Sequence, residues 1–185
     1  MKPQLNLYKA KGFSRGRPLW IEALWLLMQA IFVSSRIPGS ALRRFLLKLF
    51  GADIGRGVII KPGLRVKFPW KLTIGDYSWI GEDVWIDNLA HVEIGSHCCI
   101  SQAAYLCTGS HDWSKPAFDL LIKPIKINNG AWIAAKAVVG PGVIVGEGAV
   151  LSLGSIASKN LDPWGIYQGN PAKYIRKRVI SATST

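Results

Sequence analysis

From Ile54 to Ala157 an aliphatic residue recurs every six positions. The anchors run Ile54, Ile60, Val66, Leu72, then Ile74, Ile80, Ile86, Val92, then Ile94, Ile100, Leu106. After a gap they resume as Ile127, Ile133, Val139, Val145, Leu151 and Ala157. Small or short residues tend to follow four places after an anchor, as at Val58, Ser78, Val84, Ala90, Cys98, Ala104, Ser110, Ala131, Ala137, Ala149 and Ser155. Neither an α-helix nor a flat strand produces this period. Hexapeptide repeats build a parallel β-helix, in which each coil buries one row of side chains against the next.

A longer beat sets the coil. Ile54, Ile74 and Ile94 are 20 residues apart, and Ile127 and Val145 are 18 apart, or three hexapeptides. One coil is therefore three short strands around a triangular prism, with Leu72-Thr73 and Val92-Glu93 adding two residues at one corner. The spacing predicts roughly five coils over residues 51–160. From Ile94 to Ile127 is 33 residues, so 13 beyond a 20-residue coil must leave the prism as a loop between Thr108 and Pro124. An excursion from a rigid stack is a favoured place for function.

The flanks read differently. Leu19 to Val33 is nearly all apolar, too short for the roughly 20 residues that a membrane-crossing helix needs. Pro38-Gly39 stops it, and Ser40 is expected to cap a second helix over Ala41–Phe50, with Gly51 ending it. Residues 1–50 thus form a helical segment, and residues 161–185 a C-terminal one. Two purposes suit the N-terminal helices: covering the open edge of the first coil, or lying at a lipid surface.

Composition narrows the class. Hydrophobic content of 49% against 18% charged residues argues for a packed domain, not a disordered chain. Of the net charge of +12, residues 1–50 carry +8, because nine Lys and Arg face only Glu22. No nucleic-acid motif accompanies that charge, so no nucleic-acid partner is expected. Cys98, Cys99 and Cys107 suit neither a disulfide framework nor a zinc knuckle; Cys98, at an inward small position, reads as core filler. With no signal-peptide pattern, a cytoplasmic location follows, at the inner membrane face if the basic N-terminus meets lipid.

The chemistry gathers where the stack breaks. In Leu106-Cys107-Thr108-Gly109-Ser110-His111-Asp112-Trp113, His111 falls five places after an anchor, at a prism corner and at the mouth of the loop. With Trp85-Ile86-Asp87-Asn88-Leu89-Ala90, Cys99-Ile100-Ser101-Gln102, Gly130-Ala131-Trp132-Ile133 and Tyr167-Gln168-Gly169-Asn170-Pro171-Ala172, this stretch carries a resemblance. The chain resembles the hexapeptide-repeat (left-handed β-helix) acyltransferases. Among them it is similar to the colanic acid biosynthesis acetyltransferases and to the maltose and galactoside O-acetyltransferases, over about Ser14 to Arg178.

The resemblance implies a left-handed coil, acetyl-CoA as co-substrate without a metal, and transfer to a sugar hydroxyl in exopolysaccharide or lipopolysaccharide biosynthesis. It also implies a homotrimer whose sites are shared between neighbouring prisms. His111 matches the family's catalytic histidine, and the Trp113-bearing loop matches the polysaccharide group. Trp132 and Ala135 match residues flanking the pantetheine, and Gly154, Ser158 and Lys159 border the cofactor further along. Lys173 and Arg176 fall near its phosphates, although a solvated basic tail is the alternative for both. An imidazole suits the task, since a sugar hydroxyl must lose its proton as it attacks a thioester and histidine has a reference pKa of about 6.5.

Asp87 and Asn88, one coil before the loop, are candidates for the acceptor, or else for an Asx turn at the corner. His91, one 20-residue coil before His111, is expected about 4.8 Å below it. Two other readings keep the fold: a γ-carbonic-anhydrase-like zinc enzyme drawing on His91, His97 and His111, and a scaffold or membrane-docking module without turnover.

Overall fold

A computed structural model describes residues 2–10 and 12–181. The chain winds as a left-handed parallel β-helix behind two N-terminal helices. Its first face stacks Asp53–Ile54, Leu72–Ile74, Val92–Ile94, Ile125–Ile127 and Ile144–Val145 in parallel. The second face stacks Ile59–Ile60, Trp79–Ile80, Cys99–Ile100, Trp132–Ile133 and Val150–Leu151, and the third Arg65–Val66, Trp85–Asp87, Tyr105–Cys107, Val138–Val139 and Ile156–Ala157.

Register follows the hydrophobic beat. Ile54 pairs with Ile74, Ile74 with Ile94, Ile94 with Ile127, and Ile127 with Val145, so like side chains form an unbroken buried row. Burying such rows is the main driving force for the column. The four-residue followers Val58, Ser78, Val84, Cys98, Ala104, Ala131, Ala137, Ala149 and Ser155 fill its interior. Ala90 and Ser110 are only half-buried, because the coil opens there into the excursion. Burial pushes the Cys98 thiol above its ordinary value, as a core filler requires. Between the first and second faces each coil turns through a left-handed residue: Gly57, Tyr77, His97, Gly130 and Gly148, with φ from 56° to 68°. His97 is a turn residue stacked on Tyr77, with ring centroids 5.3 Å apart.

The column does not stop at residue 160. Leu161 bridges Val145 in parallel, and Gly165–Gln168 pairs with Val150–Leu151, which begins a sixth coil. Lys173–Lys177 then folds back antiparallel on Gly165–Gln168 and closes the second face.

At the other end sit α1 (Leu19–Met28), continued by a π-turn over Gln29–Val33, and α2 (Ser40–Leu49). They cover the first coil and satisfy its open edge. Trp25 is fully buried, and its indole N–H donates to the Val66 carbonyl at 2.8 Å. Gln29 Oε1 accepts from Val66 N, Ser34 Oγ donates to Leu64 O, and Arg44 donates to Val58 O. Ser40 Oγ accepts from Ile60 N at 2.8 Å, so it caps a strand edge while Gly39 occupies the helix N-cap. Arg43 is not a surface charge: it is 1% exposed, and its guanidinium donates to the carbonyls of Val33, Gly39, Ser35 and Ile37.

Candidate active site

The 13 extra residues leave the prism as an antiparallel hairpin. Gly109–His111 pairs with Leu120–Ile122, and the chain rejoins the first face where Ile125 pairs with Val92. The exit lies at the corner between the third and first faces. That corner has its own ladder of polar staples at a 20-residue pitch. Asn88 is completely buried; its amide donates to Phe68 O and Lys71 O and accepts from Phe68 N. Thr108, also buried, accepts from Ala90 N and donates to Asp87 O. Asn88 therefore holds the lengthened corner at Pro69–Lys71 and does not face an acceptor, which corrects one of the sequence expectations.

His111 stands on the hairpin, half-buried. Its Nδ1 lies 2.8 Å from the Phe118 carbonyl oxygen. A carbonyl can only accept, so the neutral ring must carry its proton on Nδ1 and its lone pair on Nε2. Phe118 holds φ at 51°, a region costly for an aromatic residue, and its ring stacks on the imidazole at 4.4 Å and 10°. The strained backbone and the stacked ring together orient the imidazole, and among the described residues Nε2 has no hydrogen-bond partner. Asp112 supports the loop, accepting from Ser114 N and Oγ, and those bonds hold its carboxyl below the usual range.

Two contacts escape any reading of the repeats. The Tyr8 ring lies 5.7 Å from the imidazole, and Gln4 N donates to Pro116 O, so residues 4–8 lie along the hairpin beside His111. Trp113 is 83% exposed and lines a shallow depression with Pro3 and Pro116. No period or motif marks residues 4–8.

Asp87 pairs in register with Cys107, four residues before His111, and points outward on the third face. Tyr105 donates to it at 3.2 Å and Lys67 approaches within 3.3 Å. Burial, followed by the neighbouring Cys107, raises the Tyr105 phenol above its ordinary value. Arg65, Trp85 and Tyr105 stack along the same face, with Arg65 4.6 Å from the Trp85 ring centroid and the two rings 4.6 Å apart.

His91 does not lie under His111. The register sets Val92 against Ile125, so the residue above His91 is Pro124, and His91 instead hydrogen-bonds Thr73 Oγ1 at 3.1 Å. The excursion displaces His111 from the row that a plain 20-residue count assigns it. Among the described residues no group of three His, Cys, Asp or Glu side chains converges to hold a metal ion.

The expected cofactor residues divide between two regions. Ser158 and Lys159 are exposed at the corner that the His111 hairpin leaves, two coils further along. Ala135 and Gly154 stack at the opposite edge of the third face, joined by Gly154 N donating to Ala135 O at 3.0 Å. Trp132 projects from the second face, its indole donating to Ser101 Oγ at 2.9 Å, beside a groove of about 430 Å³ lined by Lys61, Trp79, Cys99 and Gln102. Lys173 and Arg176 are exposed on the strand that closes that second face. Around a single column, Trp132 and His111 thus look in different directions.

No family model matches the chain. It is 43% identical over 169 residues to WcaF of Escherichia coli strain K12, a protein described as a colanic acid biosynthesis acetyltransferase, covering 91% of this chain and 93% of that one. A hexapeptide-repeat acetyltransferase from Vibrio cholerae, solved with acetyl coenzyme A, superposes with a TM-score of 0.82 at 21% identity, over 95% of this chain and 97% of that one. A galactoside acetyltransferase solved with coenzyme A superposes with a TM-score of 0.77 at 22% identity, over 86% and 81%.

Proposed function

Because the chain belongs to the hexapeptide-repeat acetyltransferases, we propose that it transfers acetyl from acetyl-CoA to a sugar hydroxyl during polysaccharide biosynthesis. His111 is the general base. The observation that carries this reading is the Phe118 carbonyl on Nδ1, which leaves Nε2 free to accept a proton.

Acetyl-CoA supplies the acetyl group as an activated thioester. As Nε2 takes the hydroxyl proton, the sugar oxygen bonds to the acetyl carbon. The carbon–sulfur bond breaks, and the imidazolium returns its proton to the departing thiolate. No enzyme nucleophile is needed, so Cys98, buried with a raised pKa, has no covalent role. A backbone N–H near the hairpin stabilises the oxyanion. Asp87 and Trp113 contact the acceptor, Asp87 from the third face and Trp113 from the exposed loop.

The residues fit an extended thioester arm. Trp132 and the small corner residues Ala135 and Gly154 flank the pantetheine; Ser158 and Lys159 border it, and the cations of Lys173 and Arg176 meet its phosphates. A single column does not bring Trp132 to His111. The active form is accordingly a homotrimer in which the second face of one protomer lies beside the hairpin of the next. The test is CoA release with nucleotide sugars, free oligosaccharides and lipid-linked oligosaccharides as acceptors, with mass analysis of the sugar product. Acetyl-ester formation at one hydroxyl is the expected result; CoA release by hydrolysis alone, with every acceptor unmodified, refutes the proposal.

A further inference from the structure

The helical cap exposes an apolar surface on the side away from the column. Its polar side chains, Gln29, Ser34, Ser40 and Arg44, point at the column and hydrogen-bond the edge of the first coil. Trp25, Val33, Leu46 and Leu47 are buried with them, and the other large apolar side chains of the two helices are left facing outward. On α1 and its π-turn, Trp20, Leu24, Leu27 and Ile31 fall on one exposed stripe at helical spacing, with Trp20 66% exposed. On α2, Phe45 and Leu49 are 61% and 65% exposed. The two stripes meet, because Ile21 and Leu24 line a common groove with Leu49 and Phe50. A contiguous exposed apolar surface of this kind marks an interaction site.

Charge identifies the partner. Arg17 lines the same groove and Lys48 is exposed beside Leu49, whereas Arg36, on the turn between the helices, pairs with Asp83 of the column at 3.1 Å. The one acid of residues 1–50, Glu22, is already paired with Arg15 at 2.6 Å. An apolar face rimmed by cations complements an anionic lipid surface. A second copy of the same face would set these cations against one another, and no helix among the described residues is long and apolar enough to cross a bilayer.

We infer that the outer face of the cap docks in plane on an anionic bilayer, with Trp20, Leu24, Leu27, Ile31, Phe45 and Leu49 entering the interface and Arg17 and Lys48 meeting the headgroups. The docking is independent of the acetyl-transfer reading, and its test needs no turnover.

The experiment floats the full-length protein on vesicles of phosphatidylethanolamine with phosphatidylglycerol, and on phosphatidylcholine vesicles alone. The wild type floats with the anionic vesicles and loses binding as salt is raised. Leu27→Asn/Phe45→Asn/Leu49→Asn lowers the partition coefficient by at least about tenfold, with the melting temperature kept, since all three side chains face solvent. Arg17→Glu and Lys48→Glu each lower binding to anionic vesicles by about fivefold or more and leave phosphatidylcholine binding unchanged. Should the triple variant unfold, Leu27→Asn and Phe45→Asn singly carry the test, each with a reduced partition. A wild type that stays unbound, or a triple variant that floats as the wild type does, overturns the inference. So does a triple variant whose mass in solution falls while neither protein binds vesicles, which would make the face a contact between copies.

Discussion

Replacing His111 by Asn separates the orientation of the proposed base from its chemistry. The Asn amide can still donate to the Phe118 carbonyl, which His111 Nδ1 meets at 2.8 Å. One hydrogen bond is worth about 1 kcal/mol, so its retention keeps the hairpin folded. What disappears is the Nε2 lone pair. A positioned general base contributes about 10²–10⁴ in rate, or roughly 3–5 kcal/mol of barrier. His111→Asn and His111→Ala should therefore lose turnover by the same factor in this range, while CoA affinity by calorimetry is unchanged. Phe118→Ala keeps the carbonyl and forfeits only the ring stacked at 4.4 Å. A stacked pair is worth about 0.5–1.5 kcal/mol, so turnover should fall only about twofold to tenfold. The assay is steady-state CoA release at saturating acetyl-CoA with the best acceptor. If His111→Asn keeps more than about a tenth of the wild-type turnover, the histidine positions something and is not the base.

Three further outcomes test the framework around the site. Ile100 is fully buried between Ile80 and Ile133, so Ile100→Ala should cost about 2–5 kcal/mol and lower the melting temperature by roughly 4–20 °C in calorimetry. Asn88→Ala leaves two backbone groups, Phe68 N and Lys71 O, without partners, at about 1–3 kcal/mol each if they stay dry, while Phe68 O keeps the bond from Lys71 N. Its melting temperature should fall while the acceptor KM of the surviving enzyme stays at the wild-type value; a raised KM would return Asn88 to the acceptor site. Burial raises the phenols of Tyr105 and Tyr167, so the folded chain prefers both neutral. That stability is complete below the unfolded value of about 10 and is lost as pH rises through the folded values, so melting scans above about pH 10 should fall steeply, and less so in Tyr105→Phe.

The column was legible because every coil repeats the same physical demand. A six-residue period can only be satisfied by rows such as Ile54, Ile74, Ile94, Ile127 and Val145, and the 33-residue gap located the excursion before its form was known. The count failed once the register itself changed. His91 and His111 are 20 residues apart, yet the hairpin removes His111 from the stack and leaves Pro124 above His91. Asn88 was ambiguous for a different reason: its three partners are backbone groups 17 to 20 residues earlier, and no side-chain pattern records them. Tyr8 lies outside the repeats altogether, and Phe118 acts through its carbonyl, a group that every residue has.

The same distinction explains the N-terminal helices. Their apolar content suits either a cap or a lipid contact. The structure divides the labour between two faces of the helices. The β-helix edge presents N–H and C=O groups, which demand hydrogen-bonding partners, so Gln29, Ser34, Ser40 and Arg44 turn inward, beside the buried apolar side chains of Trp25, Val33, Leu46 and Leu47. Once those positions are committed to the edge, helical geometry sends Leu24, Leu27 and Phe45 to the opposite side. Capping the column and exposing an apolar surface are thus the work of different faces of the same helices: polar side chains and a small apolar cluster meet the edge, and the remaining apolar side chains face outward.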